Sequence, residues 1–420
     1  REWGDLYGYL GQVSEQGTPV DTDDLWAEFQ ARQNRARDLY HDIERIQEGA
    51  IGAINYELEQ SSLRDRRLEL NDGATDNARA KIERERETLD AKYAELQQAL
   101  QSLNDQIGRD SITVRAQNGQ TVTVPLAEVV RGYRPNAMGL FAKIRFYFAK
   151  IWEFVSDEPR EANTEGGVFP AIFGTVMMVM LMSVFVTPFG VVAALYMREY
   201  AKQGVVTRII RIAVNNLAGV PSIVYGVFGR GFLVYALGGS IDELFFPAAL
   251  PSPTFGTGGI FWASLTLALL TLPVVIVSTE EGLARMPRSL REASLPLGAT
   301  KAETLWKIVL PMSSPAMMTG LILAIARAAG EVAPLMLVGV VKLAPSLPLD
   351  GNFPFLHLAR KFMHLGFHIY DVGFQSPNVE AARPLVYATA LLLVLVIVIL
   401  NLAAVRIRNR LRERYRALEH

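Results

Sequence analysis

Of 420 residues, half are hydrophobic and a fifth charged, and 42 basic against 43 acidic residues leave a formal net charge of −1. That balance offers no electrostatic pull on nucleic acid, and the absence of cysteine excludes disulfides and thiolate metal sites. It also fits a large domain exposed to an oxidising compartment.

The two populations are segregated, charge-rich before about residue 169 and dominated by apolar runs after it. The chain opens on Arg1 without a basic-then-apolar leader. Within a first region, 1–136, residues 21–107 carry Ile82, Leu89, Leu96 and Leu103 every seven residues. Tyr93, Leu100 and Ile107 form a companion row, and Leu39, Ile43, Ile46, Ala50 and Ala53 a matching stripe. With Asn71-Asp72-Gly73 as the turn, this predicts an antiparallel helical hairpin with a coiled-coil seam. Residues 111–125 alternate around Asn118-Gly119, which predicts a small β-hairpin. In 137–168, positions 138–155 place Leu140, Ile144, Tyr147, Phe148, Ile151 and Val155 on one helical face. Lys143, Arg145, Lys150 and Glu153 make that helix too charged to cross a bilayer, so it is expected to lie on one. Glu165-Gly166-Gly167 serve as a hinge.

From there on the sequence predicts an all-α membrane domain over 169–405. Its five apolar segments fall near 169–197, 206–229, 259–280, 312–341 and 384–405, each about the 20 residues a crossing needs. Basic residues gather at 197–211, in the 281–311 loop and in a tail over 406–420. The positive-inside rule puts all three in the cytoplasm and residues 1–160 outside. A domain delivered outside without a leader needs a crossing upstream, so a first span is expected to be missing. Of the two long linkers, 230–258 is rich in Gly and Pro, and 342–383 holds His357, His364 and His368. The last pair has metal-binding spacing, but no carboxylate or cysteine completes a ligand set, so membrane-interface histidines are expected and no metal.

The loop 281–311, EGLARMPRSLREASLPLGATKAETLWKIVLP, reads as two short helices around a glycine turn, a form suited to docking a soluble partner. Gly298 permits the turn by its freedom at positive φ. Thr300 and Glu303 have capping-box spacing, which starts a helix that Pro311 should stop. Arg327 and Glu331 fall in mid-span four residues apart, and a charge there costs roughly 2.5–3.5 kcal/mol. Paired on one face, they either neutralise each other and tolerate the bilayer, or line a path in which Arg327 meets an oxyanion and Glu331 limits its hold. Leucines would suit a purely structural position better, which favours the path.

The pattern Glu292-Ala293-Ser294, Gly298, Ile308-x-Leu310-Pro311 resembles the EAA loop of ABC-importer permeases of the type I fold. The stretches Asn216–Gly226, Ser278–Glu281 and Ala324–Glu331 narrow the likeness to phosphate-specific permeases of the PstA type, over roughly 165–405, with the PstC type close behind. Serine replaces the second alanine of the triplet, the expected first span is absent, and residues 1–160 have no counterpart in the common short permease. The resemblance implies that Arg291, Glu292, Ala293, Ser294, Gly298, Ile308, Leu310 and Pro311 dock an ATPase subunit, and that transport depends on Arg327. It implies a multi-pass protein of the bacterial inner membrane working with a PstC-type permease, two ATPase subunits and an extracytoplasmic phosphate-binding protein. No G-x-x-x-x-G-K-[ST] stretch and no catalytic constellation is present, so no enzyme site and no cofactor of its own is expected; ATP is used by the partner. The rival readings are a permease for molybdate, sulfate or phosphonate, a membrane-anchored sensor working through its outer domain, and an ion-coupled carrier.

Overall fold

In this computed structural model, residues 6–416 are described apart from 72–75, 117, 161–162, 288–293, 295, 297 and 377–378. Contacts divide the chain into a unit ending at Tyr147, with which Pro247–Ala249 groups, and a second from Phe148 onward.

The first unit joins a sheet to a helical hairpin. Strands β1 (Gly8–Glu15), β2 (Thr18–Pro19), β3 (Asp110–Ala116) and β4 (Thr121–Pro125) pair antiparallel in the order β2-β1-β3-β4. The β3–β4 turn closes on Gly119 at φ +82°, where Asn118 Oδ1 accepts the Gln120 amide. Strand β1 was not foreseen: its glycines and single buried alternation, Val13, give a weak period-2 signal. Helix α1 (Leu25–Glu44) is capped by Asp24, which accepts from the Trp26 and Ala27 amides. A widened turn over Arg45–Ile51 carries it into α2 (Gly52–Leu70), and α3 (Asp76–Ile107) runs back beside both. The antiparallel register is fixed by Arg64–Glu85 at 3.2 Å and Asp65–Arg86 at 3.5 Å. Asp72 and Gly73 of the expected turn lie outside the described residues. Phe29, Ala36 and Ile43 pack with Val13, Ile112 and Leu126 into the core of the unit. Over that core Arg32 binds Glu28, Glu15 and Asp110 at 2.7–2.9 Å. Burial alone would lower its pKa, yet these carboxylates raise it.

Helix α4 (Leu140–Ser156) is followed by the tight β5 (Pro159–Arg160)–β6 (Glu165–Gly166) pair. The second unit is helical. Its α5 (Phe169–Leu195) packs along α9 (Ile260–Ala284), which also contacts α11 (Leu310–Ala329). Met178, Met182 and Val186 of α5, Ala263, Leu267 and Leu270 of α9, and Ala324 and Ala328 of α11 make one buried cluster. Small residues allow close approach: a Cβ on Gly320 would lie 2.7 Å from Ser278 Cβ.

Among the described residues, five helical segments are long and apolar enough to cross a bilayer: Phe169–Tyr200, Ser222–Phe245, Ile260–Ala284, Lys301–Ala329 and Ala382–Glu413. Two expectations need correction. Residues 206–229 are not one span: α6 (Val205–Leu217) ends before Gly219 and Pro221, and the span runs instead from α7 (Ser222–Phe228) through widened turns to α8 (Gly239–Phe245). Arg208 and Arg211 disqualify α6, and Gly231, Gly238 and Gly239, within the linker expected over 230–258, are held in helix. Likewise 312–341 is not one span. Helix begins at α10 (Lys301–Thr304), continues past Pro311 and stops at Ala329; after Gly330 a short α12 (Ala333–Val338) follows. Pro311 does not end it, because the wide turn Leu305–Val309 absorbs the hydrogen bond a proline cannot donate. The last helix, α14 (Val379–Arg416), carries the expected final span on into the basic tail.

Between α12 and α14, Asp350 stitches a loop by accepting from the Asn352 amide, Arg360 and His357. Burial raises its pKa, but those bonds outweigh it and hold the carboxyl at about 2. His364 caps α13 (Leu365–Tyr370), its Nδ1 accepting from the Gly366 amide, while His368 is buried with no ring nitrogen bonded among the described residues. Burial pushes His364 down to about 3 and His368 to about 4, the latter opposed by Asp371 and aided by Lys342. Both folded values are depressed, so the stability they contribute is full above about pH 6.5 and is lost as pH falls towards 4. The melting temperature of the purified protein should therefore drop across that window. His368→Phe should flatten the drop; an unchanged slope would contradict the assignment.

Candidate translocation and coupling site

Two interruptions in the helices of the second unit are each followed by a short helix, and those two helices are in contact. One is Ala218–Pro221, between α6 and α7; the other is Gly330–Val332, between α11 and α12. Gly219 and Pro221 cause the first, Gly330 and Pro334 the second. Helices α7 and α12 touch, and Gly226 makes this possible: a Cβ there would lie 2.6 Å from Pro334 Cα. Tyr225 pins the first interruption, its hydroxyl donating to the Leu217 carbonyl at 2.8 Å.

Arg327 stands in the last turn of α11, where the negative end of the helix dipole favours a cation. Glu331 lies beyond the helix end rather than four residues along it, because Gly330 terminates the helix. The two still pair, Arg327 Nε to Glu331 Oε1 at 3.6 Å, with side chains 33% and 20% exposed. At that distance the contact is an ion pair, not a hydrogen bond. The guanidinium charge also acts on the buried Tyr225 phenol. An accessible cation, weakly neutralised at the end of a broken helix, is chemically able to meet an anion briefly. Tyr225 was not singled out as a site residue, although it lies in the Asn216–Gly226 stretch.

At the other end of α11 sits the segment expected to dock a partner. Arg291, Glu292 and Ala293 lie outside the described residues. Ser294 is buried, its hydroxyl 2.7 Å from that of Thr304. Gly298 takes φ +88°, the left-handed turn expected of it. The capping box forms: Thr300 N–H donates to Glu303 Oε2 and Glu303 N–H to Thr300 Oγ1. Ile308, Leu310 and Pro311 are half-buried along the following turns. Leu305 and Val309 pack on Leu195 of α5 and Leu283 of α9, and Lys301 donates to the Glu199 carbonyl while its ammonium sits 4.7 Å from the Tyr200 ring centre. The segment is thus fastened to the ends of two spans, with Trp306 and Lys307 exposed on its outer side.

An ion pair between α6 and α9 escaped the sequence reading. Arg211 of α6 forks onto Glu280 of α9, with Nε 3.0 Å from Oε1 and 3.3 Å from Oε2 and Nη2 closing on Oε1. The signal was available, since Glu280 is a carboxylate inside an apolar helix and implies a partner.

Comparison with known proteins agrees with this architecture. A stretch of 232 residues, 55% of this chain and 69% of the other, is 28% identical to the probable ABC transporter permease protein YqgH of Bacillus subtilis. The phosphate transport system permease protein PstA of Mycobacterium leprae is 35% identical over 223 residues, 53% of this chain and 66% of that one. PstA 1 of Mycobacterium tuberculosis is 39% identical over 175 residues, 41% of this chain and 52% of that one. The chain therefore spans between about half and about two thirds of the length of these relatives. Residues 186–414 match the family described as the binding-protein-dependent transport system inner membrane component. With that match over more than half its length and five helices apolar enough to span, the chain belongs to this family of multi-pass inner-membrane transporter subunits.

Proposed function

We propose that this chain is the permease subunit of an ATP-driven importer of inorganic phosphate, similar in role to the PstA proteins it matches. Arg327 is the observation that carries the reading. Its accessible guanidinium ends a broken helix, and its only carboxylate partner among the described residues stands 3.6 Å away. A partly dehydrated phosphate meeting that cation recovers part of its hydration energy, and Glu331 keeps the hold weak enough for release.

The energy comes from two ATPase subunits, one of which docks on the loop 281–311 of this chain. Glu292, Arg291 and Ala293 belong to that surface with Ser294, Gly298, Ile308, Leu310 and Pro311, and the exposed Trp306 adds an anchor of the kind that dominates interfaces. Because Leu305 and Val309 pack on Leu195 and Leu283, a pull on the segment moves the ends of α5 and α9 together. A second, PstC-type permease completes the path, and an extracytoplasmic phosphate-binding protein delivers the ion. The basic residues after Val405 put the C-terminus in the cytoplasm and the first unit outside.

Arg327→Gln should reduce phosphate uptake by the reconstituted complex to background while the subunits still co-purify; normal uptake would remove Arg327 from the path. Gly298→Leu forces a side chain into the left-handed region at a cost of about 1–2 kcal/mol. ATP hydrolysis should then persist while phosphate uptake is lost, and coupled uptake at the unaltered rate would contradict the docking role.

A further inference from the structure

Helix α4 is an element the transport account leaves unused. Its side chains sort by face at helical spacing. Leu140, Phe141, Ile144, Ile151 and Trp152 form a stripe, and every one is 44–87% exposed. Tyr147 and Phe148 lie on the same face, also exposed. The stripe is about 18 Å long by the rise of an α-helix. Arg145 borders one edge of it, and Lys143 and Lys150 the other, while the single acid of the helix, Glu153, sits opposite and is held by Arg160 and Lys150.

The C-terminal end of α4 is fixed to the start of a span. Val168 N–H donates to the Phe154 carbonyl at 2.9 Å, Phe169 N–H to the Asp157 carbonyl at 3.2 Å and Gly167 N–H to the Glu158 carbonyl at 3.0 Å. Phe154 packs beside Val168 and Ala171, the first turn of α5. Phe169 begins an apolar helix of membrane-crossing length, so this end of α4 is held where hydrocarbon gives way to headgroups. A soluble surface would make so long an apolar and aromatic stripe a liability. At the boundary it becomes favourable: the stripe enters the acyl region, and basic side chains on both edges reach up to phosphate groups.

We propose that α4 is a membrane-surface anchor whose apolar stripe inserts among the lipids and whose basic edges select anionic phospholipid headgroups. This rests on α5 being a span and not on which ion is carried.

The absence of cysteine allows a direct test on the full chain in its complex. Single variants Phe141→Cys, Trp152→Cys and, on the opposite face, Ala149→Cys are spin-labelled and reconstituted into phosphatidylcholine vesicles with or without phosphatidylglycerol. Oxygen, which partitions into lipid, should relax the labels at 141 and 152 more than a water-soluble nickel chelate does, with the reverse at 149. The contrast should deepen with phosphatidylglycerol. Strong nickel access at all three positions would overturn the proposal, and so would shielding of 141 and 152 from both reagents, the sign of a protein partner. A contrast indifferent to phosphatidylglycerol would overturn the selection of anionic lipid. Phosphate uptake by unlabelled protein, read in parallel, separates a failure of the anchor from a failure of the transport reading.

Discussion

A backbone amide or carbonyl that faces hydrocarbon without a partner costs several kcal/mol, so a helix can stop inside a membrane only where protein or water receives the open groups. The second unit interrupts its helices after Leu217 and after Ala329, and the helices that follow, α7 and α12, are in contact where Gly226 approaches Pro334. Everything proposed for transport follows from that juxtaposition. It puts a guanidinium beside a break in the helix, with Tyr225 and the Val220 amide both bonded to the Leu217 carbonyl at the first stop. An unbroken pair of helices would have no use for Arg327 and would reject it.

Helix α9 holds this arrangement. It is buried against α5 and α11, and its far end meets the coupling segment through Leu283 and α6 through the Glu280–Arg211 fork. Close packing of small residues makes such an interface bistable rather than pliable, so movement at one end of α9 is passed on instead of absorbed. A partner can shift the balance between two states only by the difference in its binding to them. The segment around Gly298 is clamped to two spans by Lys301 and Val309, and under the proposed docking role it would convert such a difference into displacement.

The sequence disclosed much of this, and its errors have physical causes. Runs such as Phe169–Leu195 and Ile260–Ala284 are apolar on every face, and hydropathy alone finds them. The Thr300–Glu303 cap and the Gly298 turn are local chemistry and were legible for that reason. Hydropathy failed at Val205–Leu217, where Arg208 and Arg211 interrupt the apolar residues and the counter-charge of Arg211, Glu280, lies 69 residues on. It failed again at Gly229–Gly238, because packing against Thr266 and Val338 keeps glycine-rich chain helical where propensity opposes it. Pro311 misled because a proline can be carried within a helix, here just after the widened turn Leu305–Val309. Strand β1 was missed since its partner β3 is distant in sequence and gives no local signal.

The central claim is that the positive charge of Arg327, and not merely its bulk, admits phosphate. In a chain without cysteine, Arg327→Cys can be modified alone with aminoethyl or sulfonatoethyl methanethiosulfonate, which attach a cation or an anion of similar size. Phosphate uptake by the reconstituted complex should be absent in the variant, return in part with the cationic reagent and stay absent with the anionic one. Uptake that is intact before modification, or equal after either reagent, would contradict the account.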